Sequence, residues 1–340
     1  MPNLSFLRYA LGANYSRFNK RIKDLAEKEN RSALALKADF LMCFLRKGFG
    51  LSDYFDYELW KKSWTERKEY ASIKDEDVFY AFVSPEEYKK FFTIKYDFLK
   101  NFSKYIKREF IVPTADNREE CFAYFEKHPT MMVKPYDGLG GMGVHRINVN
   151  DEGGPEKLYK KMVDEHLFAE EVIPQHEELN RMSPNSVNTL RVITSNIDGV
   201  AKIKFIGFRC GAGADVDNFH AGGVACDVDL DTGKLKGNAL SKALDEYEYH
   251  PITGVKFDGF QIPYFEEVKQ LCLDASYVNT NIHVVGWDVA VTPDGPTFVE
   301  GNRRPGFDVT QVVSRRGRMD IIRSATEELK DYYKRTGKNG

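Results

Sequence analysis

A lysine-ended strand, a cluster of glycines and a second strand constrain this chain most. The stretch "MMVKPYDGLGGMGVHRINVN", residues 131–150, contains Gly138, Gly140 and Gly143 in the spacing G-x-G-x-x-G. A Rossmann fingerprint needs a helix to open directly after the glycines, so that its N-terminus meets a pyrophosphate. Here "VHRINVN" follows, with β-branched residues in strand alternation. A P-loop is excluded as well, because no Gly-Lys-Ser/Thr follows. What remains is strand, glycine loop, strand. Such a loop can fold over phosphates and offer backbone N–H groups free of side-chain obstruction. Lys134, at the end of the leading strand, can set a point charge on phosphate oxygens. The same pattern also describes a glycine-rich hairpin with a surface lysine.

A second constellation lies in "VVGWDVAVTPDGPTFVEGN", residues 284–302, which reads as a β-hairpin. A three-residue loop Pro293-Asp294-Gly295, with Gly295 left-handed, pairs Thr292 with Pro296, Ala290 with Phe298 and Asp288 with Glu300. The two carboxylates then share a sheet face, with Cβ atoms roughly 5 Å apart. Asn302 falls on the same face. Paired carboxylates repel unless a cation lies between them. Oxygen donors of this kind suit Mg²⁺, which takes one or two carboxylates together with phosphate oxygens and water. A polar, solvent-facing hairpin is the plainer reading.

The rest of the chain falls into two parts. Up to about residue 90 it reads as helical. Phe18, Ile22, Leu25 and Ala26 fall on one helical face, and Leu34, Ala38, Leu41 and Leu45 on another. The tract from Ser84 to Phe110 continues as helix, with Ser84 as N-cap and Pro85 in the first turn. After Ile111-Val112-Pro113 strands and helices mix. "LRVITS" and "AKIKFIGFR" are strands around an Asp198-Gly199 turn, "PYFEEVKQLCLDAS" is a helix, and "MDIIRSATEELKDYYKR" is a closing helix.

The 49 basic and 51 acidic residues nearly cancel in a chain of 340, which gives no support for generic nucleic-acid or membrane-surface binding. No apolar stretch is long enough to span a bilayer, and the N-terminus lacks the apolar core of a signal peptide. Cys43, Cys121, Cys210, Cys226 and Cys272 are odd in number and unclustered, so neither a disulfide framework nor a zinc site is expected, and a reducing cytoplasm fits best.

Taken together, the strand lysine, the glycine lid, "EEVIPQH", "SPNSVNTLRVIT", "HPITG" and the acidic hairpin resemble the ATP-grasp superfamily. Within it they resemble the sugar-transfer-associated family, related to α-L-glutamate ligases. The resemblance covers about residues 90 to 320. It implies an α+β chain: an ATP-grasp fold of two α+β subdomains sandwiching ATP, residues 91–173 and 174–340, preceded by a helical region, 1–90. It also implies ATP and Mg²⁺ as cofactors. Lys134 and the loop of Gly138, Gly140, Gly141 and Gly143 would hold phosphates, with Lys95 as a second lysine. Glu170, Glu171, Val172 and Ile173 match the hinge that meets adenine and ribose. His176 and Asn188 belong to the family's own motif and are grouped with the nucleotide site. Arg191 matches the arginine near the transferred phosphate. Asp288, Glu300 and Asn302 match the metal ligands. Arg304, directly after them, is a candidate clamp for a substrate carboxylate or phosphate. His220, in "DNFHAGG", is more simply structural or exposed.

The activity so implied is a carboxylate–amine ligase working through an acyl phosphate, with a small-molecule or sugar-linked acid and an amine as substrates, in glycan or sugar-conjugate metabolism. A kinase on the same scaffold and a nucleotide-binding scaffold without turnover are the alternatives.

Overall fold

The computed structural model describes residues 15–136, 143–213, 217, 219 and 222–337. Two antiparallel sheets organise the chain. The smaller contains β1 (Phe110–Ile111), β2 (Thr130–Pro135), β3 (His145–Asn148) and β4 (Leu167–Glu171), in the order β1-β4-β2-β3. Met131, Val133 and Ala169 pack on one side against the helices Arg118–Lys127 and Pro155–Asp164, which contribute Cys121, Phe125, Leu158 and Met162. Strand alternation therefore turns Lys134, Phe168 and Glu170 to the other side. β2 and β3 are the expected strands on either side of the glycine segment, paired from Val133↔His145 outwards.

The larger sheet has seven strands: β5 (Thr189–Ile197), β6 (Val200–Cys210), β7 (Val224–Val228), β8 (Leu235–Ser241), β9 (Glu246–Tyr247), β10 (Val284–Thr292) and β11 (Gly295–Asn302). Their order is β11-β10-β5-β6-β7-β8-β9. Asp198 and Gly199, with φ of 56° and 71°, close the β5–β6 hairpin as the two-residue turn that the sequence signals. One face of this sheet buries Leu190, Val192, Val285, Trp287 and Phe298 against the helices Lys95–Asn101 and Phe265–Ala275. The other face carries Ile193, Val284 and Ala225. It shares a single core with the helices Tyr15–Lys28, Ala33–Lys47 and Ile73–Val83 and with the last helix, Met319–Thr336.

Three local expectations are corrected. On the helix Ala33–Lys47, Leu34, Leu41 and Leu45 are 77%, 52% and 68% exposed, and Leu36 and Cys43 are buried instead. This helix is apolar over much of its circumference, so tertiary contacts choose the face. The ion pair of Asp39 with the buried Arg67, at 2.7 Å, lies on the chosen side. The tract after Ser84 is not one helix. Ser84 ends the helix Ile73–Val83, its N–H donating to Tyr80 O, and short pieces at Glu86–Tyr88, Lys90–Thr93 and Lys95–Asn101 follow. Pro85 disfavours helical geometry at the residue before it, so Ser84 is a stop rather than a start.

The third correction concerns the acidic hairpin. Its turn has two residues, Pro293 and Asp294, with Thr292 opposite Gly295 and Val289 opposite Phe298. Continued regularly, that register would put Glu300 opposite Trp287. A β-bulge at Val299 inserts one residue, and Asp288 faces Glu300 after all.

Candidate active site

The acidic hairpin and β5 build one cluster. Asp288 pairs with Arg191 across the β10–β5 ladder. Leu190 and Val192 are buried in the core, so Arg191 emerges on the opposite face, beside Asp288. Arg191 Nε donates to Asp288 Oδ1 at 2.6 Å and its terminal nitrogen to Oδ2 at 3.2 Å. Arg209, on β6, adds a second guanidinium at 2.9 Å from Asp288 Oδ2. Burial alone would raise the Asp288 carboxyl; Arg191 and then Arg209 outweigh it and hold the group well below the usual carboxylate range. Arg209 also donates to Thr189 Oγ1 at 2.8 Å and lies 3.7 Å from Asp217.

Glu300 faces Asp288 in the ladder, near enough for the two carboxyls to act on each other. Glu300 keeps a side open to solvent, yet the protein around it, followed by the charge of Asp288, raises its carboxyl above the ordinary range. Asn302 Nδ2 donates to Glu300 Oε1 at 3.3 Å. Asp288, Glu300 and Asn302 thus lie together on one face.

This donor set fits Mg²⁺. It offers only oxygen once the amide of Asn302 turns its carbonyl inward, and its second carboxyl is destabilised as an anion by the first. Among the described residues no group of three His, Cys, Asp or Glu side chains forms a metal cage. Two carboxylates and an amide leave positions for phosphate oxygens and water. The arginines occupy both Asp288 oxygens, so a cation there shares that carboxylate with at least one guanidinium.

The second cluster hangs from the small sheet. Lys134 Nζ lies 2.9 Å from Glu170 Oε2, its diagonal neighbour on the face turned away from the covering helices. Glu170 is 3% exposed and also accepts from Arg108 Nε at 2.7 Å. Burial pushes Glu170 up, but Arg108 and Lys134 overcome it and bring the carboxyl down to about 2. Arg108 reaches further, donating to the backbone carbonyls of Phe298 and Val299. These carbonyls belong to the bulge, where the ladder is interrupted. One guanidinium therefore ties the Lys134–Glu170 pair to the strand that carries Glu300 and Asn302.

The remaining sequence candidates divide clearly. Lys95 begins the helix Lys95–Asn101, and its N–H donates to Tyr136 O, directly ahead of the glycine segment. Gly143 has φ of 74°, a left-handed conformation that suits glycine. Gly138, Gly140, Gly141 and His220 lie outside the described residues. Glu171 accepts from Glu109 N at 3.2 Å, and Val172 and Ile173, half-buried, lead out of β4. His176 and Asn188 are struts of their own segment. His176 Nδ1 accepts from Glu178 N at 3.2 Å, and Asn188, 1% exposed, gives its Nδ2 to the carbonyls of Leu179 and Ser183. Arg304 lies 3.9 Å from Asp77, and Arg303 turns to Ser84 O and Glu86.

Sequence reasoning missed Arg108, Arg209 and Asp217. The signal for Arg209 is present in "FIGFRC": an arginine between two apolar strand residues, both fully buried in the fold, needs an anion. Arg108 is hidden in the basic run "YIKREF".

Comparison with known proteins gives three kinds of result. No curated protein matches the sequence. Among solved structures, D-cycloserine synthetase is 14% identical, with 73% of each chain covered and a TM-score of 0.45. An ADP complex of N5-carboxyaminoimidazole ribonucleotide synthetase is 12% identical at TM-score 0.40, with 64% of this chain and 46% of that one covered. An L-amino acid ligase from Bacillus licheniformis is 14% identical at TM-score 0.40, with 66% and 43% covered. This chain thus spans less than half the length of the last two. The decisive match is to a family profile over residues 102–326, more than half of the chain. The protein belongs to the sugar-transfer-associated ATP-grasp family.

Proposed function

We propose that the protein is an ATP- and Mg²⁺-dependent carboxylate–amine ligase working through an acyl phosphate. The observation that carries this reading is the pairing of two cationic clusters across one cleft strut: Lys134 held by Glu170, and Arg191 with Arg209 on Asp288, joined through Arg108. Of residues 91–173, the small sheet and its covering helices form the half that closes over the nucleotide, while the helix Lys95–Asn101 packs with 174–340, the half that holds the metal; the 170–173 segment is the hinge between them.

Lys134 presents its ammonium to phosphate oxygens, its position fixed by Glu170. Lys95, Gly143 and the glycines before it line the same phosphates. Asp288, Glu300 and Asn302 would hold Mg²⁺, which would supply charge neutralisation to the phosphates. Arg191, with Arg209 behind it, stabilises the charge that develops on the phosphoryl group as the substrate carboxylate attacks. The amine then displaces phosphate and the amide bond forms. Closure of the glycine segment keeps water from the activated acid. The acid is a small-molecule or sugar-linked carboxylate of glycan or sugar-conjugate metabolism, and the location is cytoplasmic.

The test is a screen of acid and amine pairs for ADP release, with mass spectrometry of the products. Hydroxylamine added with the correct acid should yield a hydroxamate, together with ADP and free phosphate. A stable phosphorylated acceptor without free phosphate would establish a kinase instead.

A further inference from the structure

We propose that Asp217 is a positioning residue for the metal site: it is the second anion of Arg209, to which that guanidinium turns when Asp288 is engaged by Mg²⁺. This role rests on the reading of Asp288, Glu300 and Asn302 as that site.

Strand register puts the partners on one face. Thr189 stands opposite Arg209 in the β5–β6 ladder and two residues from Arg191, and Arg191 stands opposite Asp288 in the β5–β10 ladder. Side chains two apart in a strand, or directly opposed in neighbouring strands, point the same way. Thr189, Arg191, Arg209 and Asp288 therefore share one sheet face. Asp217, eight residues after Arg209 in "RCGAGADVD", meets them from beyond the end of β6.

The two arginines hold Asp288 differently. Arg191 puts its Nε and a terminal nitrogen on the carboxylate, at 2.6 and 3.2 Å. Arg209 gives Asp288 one terminal nitrogen, at 2.9 Å. Its Nε and that same terminal nitrogen also donate to Thr189 Oγ1, at 3.1 and 2.8 Å. The Thr189 hydroxyl donates its own hydrogen to Asp217 Oδ2, which lies 3.7 Å from Arg209 Nε. A hydroxyl can accept and donate at once, having one hydrogen and two lone pairs. Arg209 is thus placed between two carboxylates, in direct contact with Asp288 and bridged to Asp217 by one hydroxyl.

The surroundings make the second carboxylate necessary. Arg209, Asp288 and Asp217 are all largely buried. A guanidinium that lost its carboxylate there would be an unpaired buried charge. Burial opposes the charge of Arg209, and Asp288 and then Asp217 more than restore it. A dication on Asp288 would draw on the same negative charge and repel the guanidinium beside it. Asp217 offsets that repulsion, because Arg209 shifts towards the other end of a chain of contacts already formed. Without Asp217 the guanidinium stays on Asp288 and competes with the cation. Metal-assisted nucleotide binding then weakens, and metal-free binding does not.

Calorimetry of ADP binding, once with Mg²⁺ and once with EDTA, tests the proposal. The ratio of the two affinities reads the contribution of the metal apart from the integrity of the nucleotide site. In Asp217→Asn the ratio should fall about fivefold or more, with the affinity in EDTA no lower than that of the parent. In an Arg209→Gln background Asp217→Asn should leave the ratio unchanged, because it acts through that guanidinium. Thr189→Val removes the bridging hydroxyl and should lower the ratio in the same direction; it carries the test if circular dichroism shows Asp217→Asn to be unfolded. The proposal is overturned if the ratio in folded Asp217→Asn matches the parent, if Asp217→Asn lowers it as much in the absence of Arg209, or if the affinities with and without Mg²⁺ fall together. A ratio of one in the parent, or a ratio that Asp288→Asn leaves unchanged, overturns the metal-site reading as well.

Discussion

Replacing Glu170 by glutamine keeps the shape of the side chain and removes the one anion between Arg108 and Lys134. The Arg108 side chain is 1% exposed and loses a charged partner at 2.7 Å, while keeping its two backbone carbonyls. Breaking a buried ion pair costs about 3–5 kcal/mol. The retained carbonyls, and the partial access of Lys134 to water, reduce this to about 2–4 kcal/mol. Urea unfolding of parent and variant at pH 7 measures the difference. The dependence on pH gives an independent check. The Glu170 carboxyl is lowered in the folded state to about 2, so its stabilisation is complete above the unfolded carboxylate range, near 4.5, and is lost as pH falls through about 2. The parent should therefore lose its advantage over Glu170→Gln across that window, and the two curves should converge. A difference under about 1 kcal/mol at pH 7, or one that is constant between pH 5 and 2, would refute the reasoning. A double-mutant cycle isolates the effect on Lys134. If Glu170 acts on nucleotide binding by holding that lysine, Glu170→Gln should weaken MgATP binding in the parent and add nothing in a Lys134→Met background.

Three further outcomes are expected. Arg191→Met should lower turnover more than ATP affinity, because its charge is needed most as the phosphoryl group transfers; an equal loss in both would assign it to ground-state binding. Gly301→Ala should destabilise by about 1–3 kcal/mol in urea unfolding. Its Cβ would meet ring atoms of Phe98 and Phe92 at 2.6 and 2.7 Å, and Phe98 is buried in the core; unchanged stability would show that these rings yield freely. Deleting Val299 should abolish Mg²⁺-dependent nucleotide binding while the chain still folds, and retention of that binding would disprove the role assigned to the bulge.

The local signals legible in the sequence were those with strict periodicity. The strands around Asp198-Gly199 and around the glycine segment follow alternation, and Arg191 emerges opposite Leu190 and Val192 because a strand permits nothing else. The face of the helix Ala33–Lys47 was not legible, since leucines and aromatics cover most of its surface and only tertiary contacts, the core around Leu36 and Cys43 and the pairing of Asp39 with Arg67 among them, select the side that turns inward. The Asp288–Glu300 pairing was anticipated through a wrong turn length, which happened to compensate for an unseen bulge. No composition rule announces a bulge at a valine. Arg108 and Arg209 stayed hidden for a related reason: their partners lie 62 and 79 residues away in sequence, and only the fold brings them within reach.

The bulge at Val299 has a mechanical consequence. On an edge strand such as β11, a regular ladder would turn only one of the consecutive carbonyls of Phe298 and Val299 outwards. Interrupted, it offers both to Arg108, whose other end grips Glu170 in the opposite sheet. Arg108 thus ties the small sheet to the edge strand of the larger one. Separation there would strip a buried guanidinium of its partners. Any relative movement of the two sheets would have to carry this buried guanidinium along or break its bonds. A defect in one strand supplies the anchor for the other sheet.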